Sequence, residues 1–169
     1  MNIFVVDEDP VLAAGMLPDK HIVKMPLETA QMLAIIYSPH YHDIAPLFKA
    51  DGTVYNTKKG AFKNHPCTKW AAATKHNIAW LIEHGLALCH EYTYRYGKVH
   101  ACQNTIEMAN IYWSGACSNK HSPFVRAMPD EYKLDTSIDT VTAYRMYVAS
   151  KPWAAGNYLR KPERKPDWI

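Results

Sequence analysis

The sequence predicts a mainly α-helical fold, a single compact helical domain that begins with a short extended segment. Three observations predict it. The chain has 169 residues, the length of one domain. Hydrophobic residues make up 48% and charged residues 21%, a balance that is usual for globular proteins. Apolar residues recur with helical spacing in several stretches, whereas only one short stretch has β-type character.

The N-terminal stretch supplies the extended segment and the first helix. Residues 2–6 (NIFVV) form a short β-type apolar run, which predicts a lone strand or an extended arm. Asp9 is a favourable N-cap and Pro10 a favourable first helical residue, so a short helix through Leu17 follows. The acidic residues 7–9 could bind magnesium, but acids at a helix start more often serve as caps.

A longer helix is predicted from Asp19, as its N-cap, to the Ser38-Pro39 pair that ends it. Pro26 lies inside this helix and should kink it or mark the start of its regular part. The helix is mostly apolar, but four polar residues interrupt it at steps of three, four and three: His21, Lys24, Glu28 and Gln31. At about 100° per residue, these four fall within an arc of about 80°.

The middle of the chain predicts a loop and two helices. Residues 38–66 have no periodicity and predict a long loop, a kind of segment that is often functional. One helix is predicted from Thr68 to the region of Gly85, and a second from there to the stop signal at Gly97.

The last elements are a helix, a loop and a final helix. Residues 101–113 predict the helix and residues 118–135 the loop. Residues 136–150 predict the final helix, with Asp135 or Thr136 as its cap.

The predicted domain spans residues 1–150 and is followed by a tail, residues 151–169. The net charge of the chain is +3, and the tail alone accounts for it. A basic, proline-punctuated and aromatic tail suits phosphate contact and base stacking, although a solvated terminus is an equally good interpretation. We assign contacts with a nucleic-acid backbone to Arg160, Lys161, Arg164 and Lys165 of the tail and to Lys58, Lys59 and Lys63 of the long loop.

The polar stripe on the second helix has two interpretations. It could be a narrow solvated face, helped by the Lys24–Glu28 pair, which would contribute only a few tenths of a kcal/mol. However, residues at the other helical angles are largely apolar, so the stripe should point into a groove walled by protein. Groups sheltered there can act as acid, base or amine nucleophile. We favour a site.

Two further clusters suit substrate binding. Asn64 and His65 precede Pro66 at a helix start, where free N–H groups favour an anion, although capping would explain them as well. Tyr92 and Arg95 belong to a stretch that interleaves rings with positive charge and suits stacking on bases. A core edge with a Glu91–Arg95 helix pair is the alternative. Trp70, with other tryptophans, could wall a base pocket, although large aromatics are more often core.

The sequence also predicts where the protein is located and whether it needs a cofactor. No apolar run approaches the length of a membrane span, and the N-terminus lacks the pattern of a signal peptide, so we expect a cytoplasmic protein without membrane contact. The four cysteines include no C-x-x-C pair, which favours reduced thiols. Cys89 and Cys102, each near a histidine, could be assembled into a zinc site, but the spacing is not that of a known zinc module. We expect neither a metal nor another cofactor.

The extended N-terminus, the mid-helix glutamate and the KNHP sequence that leads into a later helix together resemble the pyrimidine-dimer DNA glycosylases, also called endonuclease V. The motifs DKH.VKM..E.AQ, EYTYRYGK.H and AMPDEYK resemble a family of small phage-encoded proteins more closely. The glycosylase resemblance implies a metal-independent helical protein for DNA repair or modification. Such an enzyme flips a nucleotide out and attacks the sugar C1′ with an N-terminal amine while a helix glutamate assists.

Carried over to this chain, the resemblance makes Glu28 the assisting carboxylate and places His21 where that family has DNA-contacting residues. Residue 2 is asparagine, too large for efficient removal of the initiator methionine, so the amine would be that of Met1. Lys24 could supply a side-chain amine instead. Gln31 and His65 would orient the substrate.

Three alternatives to a DNA glycosylase/lyase stay open. The same scaffold could hold a flipped pyrimidine for chemical modification rather than excision. The chain could instead be a non-catalytic phage protein that binds a host factor or nucleic acid. An enzyme that acts on free nucleotides is the third, and for it the basic tail would matter little.

Overall fold

A computed structural model describes residues 1–114 and 120–169, so Cys117 lies outside the described residues. The described part contains seven α-helices and no strand, which confirms the predicted mainly α class. The helices are α1 (Pro10–Gly15), α2 (Asp19–Tyr37), α3 (Pro66–Ala73), α4 (Lys75–Tyr96), α5 (Gln103–Tyr112), α6 (Asp130–Lys133) and α7 (Thr140–Ala149). A single 3-10 turn, Pro162–Arg164, follows.

Helices α2 and α4 form the centre of the domain, and α1, α3 and α5 pack against them. The predicted extended segment runs through this core, where Ile3, Val5 and Val6 are at most 1% exposed. Asn2 fixes the start of the segment, because its side chain donates to Ala127 O at 2.6 Å and accepts from the Ile3 and Phe4 N–H groups. These three hydrogen bonds and the burial of the segment fix the first residues in the core.

Helix α2 begins at Asp19 as predicted, but Asp19 is not its cap. The Asp19 carboxylate instead pairs with Arg95, 76 residues away. The free N–H groups of the first turn are satisfied by Asn157, whose backbone oxygen accepts from Asp19 N and whose side chain accepts from Lys20 N, both at 2.8 Å. Pro26 does not interrupt the helix, which runs on to Tyr37 and ends at Ser38.

The helix break predicted near Gly85 lies instead at Thr74. Thr74 ends α3 and caps α4 by accepting from Asn77 N at 3.1 Å. Gly85 lies inside α4, where a Cβ atom would come within 2.6 Å of Thr29 Cγ2. The glycine is needed because α2 and α4 approach each other closely, not because the helix stops. The predicted stop at Gly97 is confirmed, with φ +65°.

The C-terminal part starts with α7, which begins at Thr140 and is capped by Asp139 rather than by Asp135 or Thr136. Part of the predicted tail packs on the helices. Ala154 and Tyr158 are at most 4% exposed, and the Tyr158 hydroxyl donates to Met16 O at 2.7 Å. Together with the capping of α2 by Asn157, these contacts tie the tail to α1 and α2.

Candidate active site

The stripe glutamate lies beside the N-terminal amine. Glu28 is 6% exposed, and its Oε2 lies 3.6 Å from the Met1 nitrogen. Its Oε1 lies 3.2 Å from Lys24 Nζ, one turn earlier on α2. Two amines therefore flank one sheltered carboxylate. The side chain of Lys24 is 69% exposed, whereas the side chain of Met1, which follows the other amine, is 3% exposed.

The buried N-terminal segment and α3 hold the Met1 amine in place. The Asn2 side chain fixes the backbone just after it. The Thr68 hydroxyl, in the first turn of α3, donates to the Met1 sulfur at 3.6 Å. Cys67 lies close by, and burial raises the pKa of its thiol to about 12, so it stays a neutral thiol that does not compete as a nucleophile.

His65 joins Met1, Lys24 and Glu28 as the fourth residue of the site, and we call these four residues the Met1–Glu28 cluster. It is the N-cap of α3, where its Nδ1 accepts from Cys67 N at 3.1 Å. The accepting role of Nδ1 leaves the ring proton on Nε2. Burial lowers the pKa of His65, the positive Met1 amine lowers it further, and Glu28 opposes both. A neutral imidazole that donates from Nε2 therefore lies within electrostatic range of the amine and the carboxylate.

The polar groups of the cluster are incompletely satisfied. Glu28 Oε2 has no hydrogen-bond partner within the described residues, and the amine is 3.6 Å from it, longer than a hydrogen bond. A buried carboxylate oxygen without a partner is costly in a folded protein. The Met1 amine and the Glu28 carboxylate can therefore still bind a third group or transfer a proton to it.

His21 lies on the same helix face but in a different environment. It is 6% exposed, stacks on Phe4 with 4.2 Å between ring centroids, and meets the edge of Trp153 at 5.4 Å. Burial, helped by Lys151 and Lys24, lowers the pKa of His21 to about 3. His21 is therefore neutral near pH 7 and forms part of an aromatic stack.

Gln31, one turn after Glu28, lines a groove of about 690 Å³ between α2 and the long loop. The groove has an apolar floor that includes Leu27 and Ile35, and Phe62 and Asn56 of the loop form its other wall. The loop reaches His65 three residues after Phe62. The groove is therefore adjacent to the Met1–Glu28 cluster along the chain on both sides, through Gln31 on α2 and through the loop that leads to His65.

Two of the predicted substrate-binding residues serve the core. Trp70 is 7% exposed and packs edge-on against Trp80 at 5.8 Å, so these rings do not wall a base pocket. Arg95 is also buried, and its side chain has no solvent exposure. It donates to Glu91 at 2.7 Å, to Asp19 at 3.0 Å and to Gly15 O at 3.0 Å. These contacts occupy Arg95 inside the protein and include the Glu91–Arg95 helix pair that was the alternative interpretation.

The other predicted contact residues are spread over the surface. Asn64 is exposed beside His65, whereas Tyr92 stacks on Tyr96 at 4.9 Å, on the C-terminal part of α4. Of the loop lysines, Lys58 and Lys59 are exposed and Lys63 is half-buried. In the tail, Lys161 and Arg164 lie over the ring of Tyr94, Arg160 lies over Tyr96, and Lys165 is exposed. The structure brings together Met1, Lys24, Glu28 and His65, with Gln31 and Asn64 nearby, and leaves the tail residues elsewhere.

Several neighbours of the cluster could not be identified from sequence patterns. Asn2 and Thr68 position Met1 through contacts that no local spacing indicates, because their partners lie 125 and 67 residues away. Phe4 has a positive φ of 38°, which costs energy in a residue with a side chain. In the sequence, Phe4 is distinguished only as an aromatic residue within an otherwise aliphatic run.

Two further properties follow from the described residues. Within 1–114 and 120–169, no three His, Cys, Asp or Glu side chains are grouped so as to hold a metal ion. No helix of this part of the chain is long and apolar enough to cross a membrane.

Comparison with known proteins gives one result. A family model described as pyrimidine dimer DNA glycosylase matches residues 1–104, more than half of the chain. No curated protein matches the chain, and no solved structure matches it. The matched region contains all of the residues that meet at Glu28.

Proposed function

The chain belongs to the pyrimidine dimer DNA glycosylase family, and we propose that it is a DNA glycosylase with lyase activity that uses the Met1 amine as its nucleophile and Glu28 as its acid–base group. The observation that carries this proposal is the 3.6 Å approach of the Met1 amine to the buried Glu28 carboxylate. DNA is the substrate, and the reacting nucleotide leaves the base stack to reach the cluster.

Two arguments favour the Met1 amine over Lys24. In model peptides an α-amine has a pKa of about 7.7–8.0 and a lysine side chain about 10.4, so an α-amine is the more available nucleophile near neutral pH. Position also favours Met1, because its side chain is 3% exposed and is packed in the protein beside Glu28, whereas the side chain of Lys24 is 69% exposed. The exposed Lys24 is better suited to balance the charge of Glu28 or to contact a phosphate.

The first part of the reaction exchanges the base for the amine. The amine lone pair attacks C1′, the bond from C1′ to the base nitrogen breaks, and the base leaves with that electron pair and takes up a proton. The amine nitrogen then loses its protons while the C1′–O4′ bond opens and O4′ becomes a hydroxyl. An imine between Met1 and C1′ results. Glu28 accepts protons from the amine and stabilises positive charge that develops at C1′.

The second part cleaves the strand. Removal of a proton from C2′ of the imine expels the 3′ phosphate by elimination, and water then hydrolyses the imine to restore the amine. The neutral His65 donates from Nε2 to the sugar or to a phosphate next to it, and Gln31 contacts the nucleotide from the groove side. No step requires a metal ion.

Reductive trapping tests the proposal. The protein is incubated with a duplex that contains one thymine dimer, or one abasic site, in the presence of borohydride, which reduces the imine to a stable amine. We expect a covalent adduct on the peptide that contains Met1, located by mass spectrometry. The intact mass of the free protein first establishes that Met1 is its first residue.

Three variants identify the nucleophile. A Gly-Ser extension before Met1 removes the amine from its position and should abolish the adduct. Lys24→Met keeps the alkyl stem and should retain the adduct, and Lys69→Met, at an exposed position of α3, is the matched control. An adduct that survives the extension and disappears in Lys24→Met would transfer the role to Lys24. No adduct with either duplex would overturn the amine mechanism.

A further inference from the structure

A second cluster, next to the first, combines aromatic rings with lysines that have no acidic partner. It comprises Phe4, His21, Tyr147 and Trp153 with Lys20 and Lys151. Phe4 lies between His21, at 4.2 Å, and Tyr147, at 6.0 Å. We call this set the aromatic–lysine cluster.

The charges of this cluster are balanced only by ring faces. Lys151 Nζ lies 4.0 Å from the ring centroid of Tyr147, and Lys20 Nζ lies 4.7 Å from that of Trp153. Within the described residues, neither lysine has a carboxylate within 4.0 Å, whereas Arg95, Arg145 and Arg164 each have one. The cluster therefore carries a positive charge that an anionic ligand can neutralise.

A buried polar atom without a hydrogen-bond partner also indicates a binding site at this cluster. Nδ1 of His21 is shielded from solvent and has no hydrogen-bond partner among the described residues, in a side chain that is 6% exposed. Phe4 next to it has a strained backbone, with φ 38°. An unpartnered buried polar atom and a strained backbone each cost free energy, a cost that proteins often retain at binding sites.

The cluster adjoins the candidate active site from two sides. Phe4 follows the Met1 amine by three residues, and His21 precedes Lys24 by about one turn of α2. Tyr147, Lys151 and Trp153 lie outside the region that the family model matches. The C-terminal part of the chain thus adds side chains to a site that the N-terminal part forms.

We infer that the aromatic–lysine cluster is a nucleotide subsite, in which Lys151 and Lys20 bind a backbone phosphate of the nucleic acid and Trp153 stacks on the neighbouring base. The inference rests on the proposed function for its choice of nucleic acid as the ligand. A nucleotide combines the two features that the cluster can recognise, a fixed negative charge and a flat ring. Such a subsite would hold the nucleotide next to the one that reacts at Glu28.

Fluorescence anisotropy with a labelled duplex tests the subsite. The duplex carries a tetrahydrofuran abasic analogue, which has no leaving base and cannot form the imine, so binding is measured apart from chemistry. We expect Lys151→Met to weaken binding about tenfold and to reduce the slope of log K against log salt by about 1, as for one lost phosphate contact. Lys151→Glu should weaken binding further. Trp153→Ala should weaken it at least about fivefold.

The control is Lys75→Glu, which makes the same charge change at an exposed residue at the start of α4 and should alter binding less than about threefold. Thermal unfolding verifies that each variant is folded, and Trp153→Phe, which keeps a ring, replaces Trp153→Ala if the latter unfolds. An unchanged salt slope in Lys151→Met, or a wild-type protein that does not bind the duplex, overturns the subsite. Wild-type protein that binds the duplex through Lys151 but gives no borohydride adduct would retain the subsite and overturn the proposed glycosylase.

Discussion

Helix α2 carries two buried carboxylates whose surroundings differ sharply. Asp19 at its start and Glu28 in its third turn are 5% and 6% exposed. Both oxygens of Asp19 accept hydrogen bonds, Oδ1 from Arg95 at 3.0 Å and Oδ2 from Arg160 N at 3.1 Å. Glu28 has Lys24 at 3.2 Å on one oxygen, while the other oxygen has no hydrogen-bond partner in the described part of the chain.

This comparison distinguishes a carboxylate that stabilises the fold, Asp19, from a carboxylate that is available for chemistry, Glu28. The partner of Asp19, Arg95, is itself saturated by Glu91 and Gly15 O, so the Asp19–Arg95–Glu91 network joins α1, α2 and α4 and leaves nothing for a ligand. The Met1–Glu28 cluster retains free hydrogen-bonding capacity at equal burial. A protein tolerates such a cost where binding or catalysis requires it.

The largest effect is expected at Glu28. Glu28→Gln keeps the shape of the side chain and removes its capacity to accept a proton, so the rate of glycosidic-bond cleavage should fall about 10²- to 10⁴-fold. The measurement is single-turnover kinetics on a duplex with one thymine dimer. Glu107→Gln, an exposed glutamate on α5, is the matched control and should leave the rate unchanged. A Glu28→Gln rate within threefold of wild type would contradict the catalytic role.

A substitution in the Asp19–Arg95–Glu91 network should instead lower the stability of the fold. Arg95→Met removes the cation and leaves Asp19 and Glu91 buried without their partner, which should lower the free energy of unfolding by roughly 3–5 kcal/mol. Urea denaturation followed by circular dichroism measures it. Lys98→Met, just beyond the end of the same helix, is the control. A loss below about 1 kcal/mol would mean that the network is not structural, and the comparison with Glu28 would fail.

His84 also has buried atoms without hydrogen-bond partners, but for this residue we expect an effect on stability and none on activity. It is 1% exposed, and neither ring nitrogen has a hydrogen-bond partner within the described residues. Burial lowers the pKa of His84 from its ordinary value of 6.5 to about 3, so the folded state binds fewer protons than the unfolded state between these two pH values. The contribution of His84 is therefore complete above pH 6.5, and stability is lost as the pH falls below it.

The expected loss from His84 is roughly 1 kcal/mol for each pH unit below 6.5. His84→Phe should reduce the acid sensitivity of the free energy of unfolding, measured by urea denaturation at pH 5 and pH 7, and leave glycosylase activity intact. His21 has the same lowered pKa, so acid sensitivity will persist in part in the variant. A pH dependence identical to that of the wild type would show that His84 is not buried as a neutral ring.

The smallest effect is expected where the tail meets α2. Asn157→Ala removes the side-chain acceptor of Lys20 N and should cost about 1 kcal/mol, as for other N-caps, because the Asn157 backbone oxygen continues to accept from Asp19 N. Thermal unfolding measures it. Asn64→Ala, at an exposed position, is the control. An unchanged melting temperature would show that the tail does not contribute to the stability of α2.

Local patterns predicted much of this molecule. Asp9 and Pro10 give the start of α1, Ser38 the end of α2 and Gly97 the end of α4, because caps and stop signals act within one helical turn. The line from Lys24 through Glu28 to Gln31 also follows from helical periodicity alone. Gly85 was misinterpreted as a helix stop because a glycine required by close packing of two helices looks the same in sequence as one that ends a helix.

By itself, the sequence determined which residues share a face of a helix, since backbone geometry fixes that relation over three or four positions. Only the tertiary structure decided which of those faces meets the Met1 amine and His65, and which carboxylate is matched by a distant arginine. Asp19 and Arg95 are 76 residues apart in the chain. Such partnerships depend on how whole helices pack, and packing depends on the shapes of all the side chains between them rather than on any local spacing.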